Sequence, residues 1–132
     1  MLFGQEHVDR YVATDGEEGH EWQGTTALIL TTTGRRSGEP RSTPLIYQAH
    51  DDAYLVVASN GGAREPAWFL NLKAEPEVTV QVLADRFDAR ARVAEPEERA
   101  EMWPIMTAAW PAYDDYQEKA DREIPIVVLE RA

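Results

Sequence analysis

Eleven consecutive residues, Thr31-Thr32-Thr33-Gly34-Arg35-Arg36-Ser37-Gly38-Glu39-Pro40-Arg41, hold the densest group of anion-binding side chains in the sequence. Three arginines supply charge-assisted donors, serine and threonine hydroxyls supply neutral ones, and two glycines permit a sharp turn and close backbone approach. The chemistry this suits is phosphate or carboxylate recognition. It is not a Walker A loop, which needs Lys-Ser/Thr after its second glycine. Nor is it a dinucleotide fingerprint, because the next segment of the chain reads as another strand and not as a helix. A solvated basic hairpin turn has the same composition and is the competing reading.

Three other segments carry groups of use to a site. Ser59-Asn60-Gly61-Gly62-Ala63 comes after an apolar strand and offers backbone N–H groups to a second anionic or carbonyl group. Pro66-Ala67-Trp68-Phe69-Leu70-Asn71-Leu72-Lys73 sets aromatic surface beside Asn71 and Lys73, as a planar ring with a polar edge requires, although Trp68 also suits a core. Tyr113 and Tyr116, three apart on an expected helix, share a face close to Trp110. A phenol there can donate to a carbonyl or nitro oxygen gaining charge, or can pack helix on sheet. His7, His20 and His50 lie in separate polar segments without ligand spacing, so no metal site is expected. There is no Gly-x-Ser-x-Gly elbow to support a serine hydrolase.

The elements that must position these residues are mostly strands. Residues 27–32 form a β-branched, apolar run ending at Gly34; residues 42–48 and 54–59 read as a hairpin turning at His50-Asp51-Asp52. Val78, Val80 and Val82, then Phe87, Ala89, Ala91 and Val93, alternate with polar residues and make the clearest hairpin. Residues 124–129 form a last strand whose start Pro125 confines to a sheet edge. Helices are expected over residues 5–13, after Pro66, after Pro96 with a kink or break at Pro104, and after Pro111. Consecutive hairpins without βαβ units imply a mostly antiparallel sheet, closed toward a barrel and flanked by helices.

The 132 residues suit one domain, residues 1–132. Without cysteine there is no disulfide framework and no thiolate chemistry. A net charge of −11 argues against nucleic acid and anionic membranes as partners. No signal peptide or membrane-spanning run is evident, so a cytoplasmic location is expected. Residues 95 to 123 contain nine acidic side chains against three basic ones, while residues 35 to 41 contain three arginines against one glutamate. A local anion site in an acidic protein accounts for that asymmetry.

Taken together, the segments resemble the deazaflavin-dependent nitroreductase and quinone reductase family of actinobacteria. The match runs through residues 30–41, Val57-Ala58-Ser59-Asn60-Gly61-Gly62-Ala63 and Pro66 to Ala74. It continues with Glu98-Arg99-Ala100-Glu101 before Trp103-Pro104, then Pro111-Ala112-Tyr113-Asp114-Asp115-Tyr116 and Ile124-Pro125-Ile126-Val127-Val128. The resemblance implies a split β-barrel of the FMN-binding type, coenzyme F420 as cofactor, and hydride transfer to a quinone, nitro or enone acceptor. It implies that Arg35, Arg36, Ser37 and Arg41 hold the cofactor's phosphate and acidic tail. Val57, Ala58, Ser59 and Asn60 would lie along its ring, and Ala67, Trp68, Phe69, Leu70 and Asn71 would cover the ribityl side, with Lys73 adding charge. Tyr113 would be the donor at the redox centre and Ser59 the second choice, with Ile46, Trp110 and Tyr116 shaping the acceptor pocket.

Three positions depart from the family pattern: Asn60 replaces a common lysine, Ile46 replaces an aromatic residue, and Trp110 replaces a tyrosine. The first bears on tail binding and the others on the acceptor. The short stretch before the first strand favours a soluble enzyme over a membrane-associated one. An FMN-dependent oxidoreductase on the same barrel and a non-catalytic cofactor-binding module are the alternatives. The oligomeric state stays open, a homodimer included.

Overall fold

In the computed structural model, which describes residues 2–60 and 64–132, the apolar alternation folds into an eight-stranded sheet. Its strands are β1 (Glu21–Trp22), β2 (Thr25–Thr33), β3 (Pro40–Ile46), β4 (Gln48–His50), β5 (Ala53–Val57), β6 (Glu77–Val82), β7 (Asp85–Val93) and β8 (Ile126–Arg131). The helices are α1 (Gly4–Ala13), α2 (Ala67–Ala74), α3 (Pro96–Ala109) and α4 (Ala112–Lys119). The strand order is β1-β2-β6-β7-β8-β5-β4, with β3 also paired to β2, and the pairings are antiparallel. β3 and β4 belong to opposite ends of this path, yet Tyr47 alone separates them in the chain. The sheet must therefore curl until its ends approach each other.

Alternation along the strands sorts side chains to the two faces of the curl. Leu28, Leu30, Val56, Val80, Val127 and Leu129 fill the interior together with Phe69 and Leu72 of α2. On the outer face of β5 and β8, Leu55, Val57, Ile126 and Val128 pack on Met102 and Met106 of α3 and Tyr113 of α4. β8 is thus buried on both faces, and each such aliphatic side chain contributes roughly 1.5–3 kcal/mol. α1 sets Val8 and Tyr11 against Ile29. The Tyr11 hydroxyl donates to the Ala27 carbonyl (3.0 Å) and accepts from the Leu83 N–H (2.8 Å), tying α1 to β2 and to the β6–β7 turn.

Three local expectations are corrected. Residues 42–48 are not one strand paired with the next: β3 pairs with β2, the chain changes edge at Tyr47, and only β4 pairs with β5. Tyr47 donates its N–H to Thr26 (3.2 Å), so it still belongs to the β2 side where the switch occurs. Pro125 does not mark an edge. β8 lies between β7 and β5, and Pro125 stands just before it, where its missing N–H is harmless and its carbonyl accepts from Ala58 (3.0 Å). α3 runs through Pro104 without a break, held at its start by a capping box of Glu95 and Glu98.

Candidate active site

The basic segment closes the β2–β3 hairpin as a tight loop. The Gly34 N–H donates to the Glu39 carbonyl and the Gly38 N–H to the Gly34 carbonyl (both 2.8 Å), with Gly38 at φ +74°. A β-carbon on Gly34 would stand 2.6 Å from Ser37 Oγ and 3.1 Å from the Glu39 oxygen, so a larger residue would have to displace the Ser37 side chain and press on the loop backbone. Buried Asn71 of α2 fixes the loop's base. Its Oδ1 accepts from the Arg35 N–H (3.2 Å) and guanidinium (2.8 Å), and its Nδ2 donates to Thr32 Oγ1 (3.2 Å).

Elsewhere most arginines are engaged: Arg10, Arg86, Arg90, Arg92, Arg99 and Arg131 each face a carboxylate. Arg35, Arg36 and Arg41 have no carboxylate partner among the described residues. In so acidic a protein, that leaves positive charge available to an external anion.

A cleft of about 840 Å³ opens beside this loop. It runs along the hairpin from Gly34 and Arg41 to Ala27 and Ile46, which pair across the two strands. Seven residues of strand at ~3.3 Å each make that roughly 23 Å, the length of an extended ligand. Arg35, Arg36, Ser37 and Arg41 line one end. Val57, Ser59, Asn60, Ala67, Trp68 and Asn71 also line it, as do Ile46, Trp110, Tyr113 and Tyr116.

Four expected residues stand apart from the lining. Ala58 alternates with its neighbours and points into the core, as does Phe69 from α2. Leu70 is half-buried elsewhere, and Lys73 lies on the surface against Glu65 (3.4 Å) and over the Phe69 ring. Of the backbone donors expected after Ser59, those of Gly61, Gly62 and Ala63 lie outside the described residues. Asn60 adopts φ +44° and donates from Nδ2 to the Arg64 carbonyl (3.2 Å).

The sequence reading missed the contribution of α1 and β1. Phe3, His7 and Trp22 join the wall near Trp110: Trp22 stacks on His7 (centroids 6.2 Å) and meets Phe3 (5.7 Å) and Trp110 (5.8 Å). Isolated aromatics in a polar segment give no periodic signal; five ring-bearing residues before the first long strand, Phe3, His7, Tyr11, His20 and Trp22, were the available hint. The wall continues through Trp110 Nε1, which donates to the Tyr116 hydroxyl (3.4 Å), to Tyr113, whose ring meets Tyr116 edge-on at 6.1 Å.

Tyr113 is 5% exposed, and its hydroxyl has no hydrogen-bond partner among the described residues. Burial, reinforced by Tyr116, pushes its phenol well above the usual range, so the group keeps its proton and acts as a donor. Ser59 is held from behind by Arg122, which donates to the carbonyls of Ala58 (3.1 Å) and Ser59 (3.2 Å). Among the described residues no cluster of histidine and carboxylate side chains could hold a metal ion. No described helix is long and apolar enough to cross a membrane.

A curled antiparallel sheet with a long cleft, uncompensated cations at one end and a wall of rings with a protonated phenol, has the chemistry to suit an elongated, anionic, ring-bearing ligand. Sequence comparison makes this specific. Residues 3–131 match the F420H(2)-dependent quinone reductase family, and the chain belongs to it. It is an oxidoreductase whose cofactor is coenzyme F420 and whose reaction passes a hydride from the reduced form to a quinone. An F420H(2)-dependent quinone reductase of Mycobacterium tuberculosis is 41% identical over 130 residues, covering 95% of this chain and 87% of the relative. The solved F420-H2 dependent reductase FDR-A is 40% identical with TM-score 0.73, covering 79% of this chain and 93% of its own. A structure described as a domain-swapped dimer is 37% identical with TM-score 0.76 and 96% coverage of both chains.

Proposed function

We propose that the cleft holds F420 lengthwise, with its phosphate and acidic tail on Arg35, Arg36, Ser37 and Arg41 and its ring between Ser59 and the Tyr113 wall. The observation that carries this is the coexistence, in one cleft, of arginines without carboxylate partners and a phenol without a partner. When bound, the reduced cofactor supplies the hydride, as an obligate two-electron donor. The protein's own residues orient, exclude water and stabilise charge. Arg35, anchored by Asn71, is held ready before any ligand arrives, which lowers the ordering cost of binding. Tyr113 donates its O–H to the acceptor oxygen as charge develops there, and Ser59 stands second. Ile46, Trp110 and Tyr116 shape the acceptor pocket, which admits flat acceptors, nitro and enone compounds alongside quinones.

We read the curled sheet and its flanking helices as a split β-barrel of the FMN-binding type, folded as one domain. We place the enzyme in the cytoplasm, and the domain-swapped relative supports a homodimer as its assembly. Trp22, Trp68 and Trp110 line the cleft while Trp103 does not, so intrinsic fluorescence reports occupancy. F420 is expected to quench it at far lower concentration than FMN, and the reverse order would reassign the cofactor. Oxidation of reduced F420 by menadione then separates an enzyme from a cofactor-binding module.

A further inference from the structure

His7 is 3% exposed, lines the cleft and has no part in the roles assigned so far. Its Nε2 lies 2.8 Å from the Gly19 carbonyl oxygen. A carbonyl only accepts, so Nε2 must carry a proton. The socket is built for this contact. Gly19 adopts φ +105°, and a β-carbon there would stand 2.9 Å from His7 Cδ2 and 3.1 Å from Nε2. Trp22 stacks on the imidazole and is itself fixed by donating from Nε1 to the Leu2 carbonyl (2.8 Å). Nδ1 has no hydrogen bond among the described residues, which leaves it as the nitrogen that His7 can offer to the cleft it lines.

Reducing a quinone to a hydroquinone requires one proton besides the hydride. Tyr113 is a poor source for it. A buried phenol that keeps its proton stabilises an oxyanion by hydrogen bonding but resists giving the proton away. The indole N–H groups of Trp22 and Trp110 are spent on Leu2 and Tyr116. Imidazole can carry a proton on each ring nitrogen, so His7 can keep one on the Gly19 carbonyl and give the other away.

We propose that His7 is a catalytic residue that gives its Nδ1 proton to the quinone oxygen. In the step, the hydride adds two electrons and one hydrogen nucleus to the quinone, the Nδ1–H bond breaks, and an O–H bond forms on the product. Neutral imidazole remains with Nε2–H still on Gly19, and solvent reprotonates Nδ1. Tyr113 and His7 therefore divide the work, one holding charge and the other discharging it.

The inference rests on the proposed use of the cleft, and the experiment separates the two. Failure of the wild-type protein to oxidise reduced F420 with menadione would sink the functional reading itself. With wild-type turnover in hand, His7→Gln keeps a donor toward Gly19 but has no transferable proton. It is expected to lower kcat on the order of a hundredfold, enlarge the solvent deuterium isotope effect, and leave F420 quenching and Tm unchanged. Full turnover in His7→Gln overturns the proposal, as does a loss that merely parallels falls in Tm and F420 affinity. His7→Asn sets an amide N–H near the Nδ1 position; recovery of wild-type kcat there would mean that a hydrogen bond suffices. Independently of activity, ¹⁵N-histidine spectra of the wild-type protein, with three imidazoles to assign, must show His7 as the Nε2–H tautomer at high pH. The Nδ1–H tautomer excludes the proposal.

Discussion

In a chain with 24 acidic side chains against 13 basic ones, an arginine without a carboxylate partner has been kept from one. Arg35 and Arg41 are in that position at the mouth of the cleft. Replacing both with alanine is expected to raise the F420 dissociation constant by about a hundredfold or more, since each charge-assisted bond contributes roughly 1.5–3 kcal/mol. The remaining affinity should depend less on salt, because screening acts on the charges removed. Fluorescence titration at two ionic strengths measures both effects, and unchanged affinity in a folded double variant reduces the loop to a solvated turn. Tyr113→Phe should lower kcat about ten- to a hundredfold with F420 affinity nearly intact, less than the ~2.7–4 kcal/mol of a fully enclosed oxyanion hole. Normal turnover with a lower Tm would instead make Tyr113 a packing residue. The arginine cluster was legible because composition alone marks it. His7 and Trp22 were not, because they reach the cleft only through the packing of α1 and β1 on β2, a relation that no local spacing encodes.

At the level of elements, Asn71 couples α2 to the hairpin loop through three hydrogen bonds. Asn71→Leu leaves the Arg35 N–H and the Thr32 hydroxyl without that partner, at a cost of about 1–3 kcal/mol each where water cannot substitute. Chemical denaturation should show the loss, and F420 affinity should fall with it because Arg35 is no longer held; affinity unchanged would free Asn71 from any part in binding. Glu98 joins α3 to β7, accepting two bonds from Arg92 (2.7 and 2.8 Å) and one from the Glu95 N–H (3.0 Å). Hydrogen bonding to Arg92 lowers its pKa from 4.5 to about 2. A folded-state pKa below the unfolded one stabilises fully above pH ~4.5 and fades as pH falls toward 2. Glu98→Gln should therefore lower Tm at pH 7, with the gap to wild type closing across that acid window; a constant gap would assign the effect to packing. Strand positions were legible from period-2 alternation. The pairing of residues 42–48 was not, because the edge switch at Tyr47 depends on how far the whole sheet curls.

At the scale of the molecule, the site depends on closure of the sheet, since the cleft runs along one hairpin while Tyr113 reaches it from helices packed on β5 and β8. The antiparallel class and the flanking helices could be read from the sequence. The central place of β8 could not, because Pro125 mimics an edge signal and only the long-range pairing with β7 and β5 overrides it. That placement has a consequence for biosynthesis. The ribosome makes β8 last of the eight strands, yet its residues join the two halves of the sheet. Until it emerges, β5 and β7 each expose an apolar edge, and the nascent chain has no closed core to fold around. A chain ended after Pro125 should give neither a cooperative melt nor F420 quenching, and a truncated chain that melts cooperatively would refute this. Vectorial synthesis thus holds the whole cleft in abeyance until β8 has emerged, which makes the pairing of this strand the step at which a nascent chain becomes either an enzyme or a substrate for chaperones and proteases.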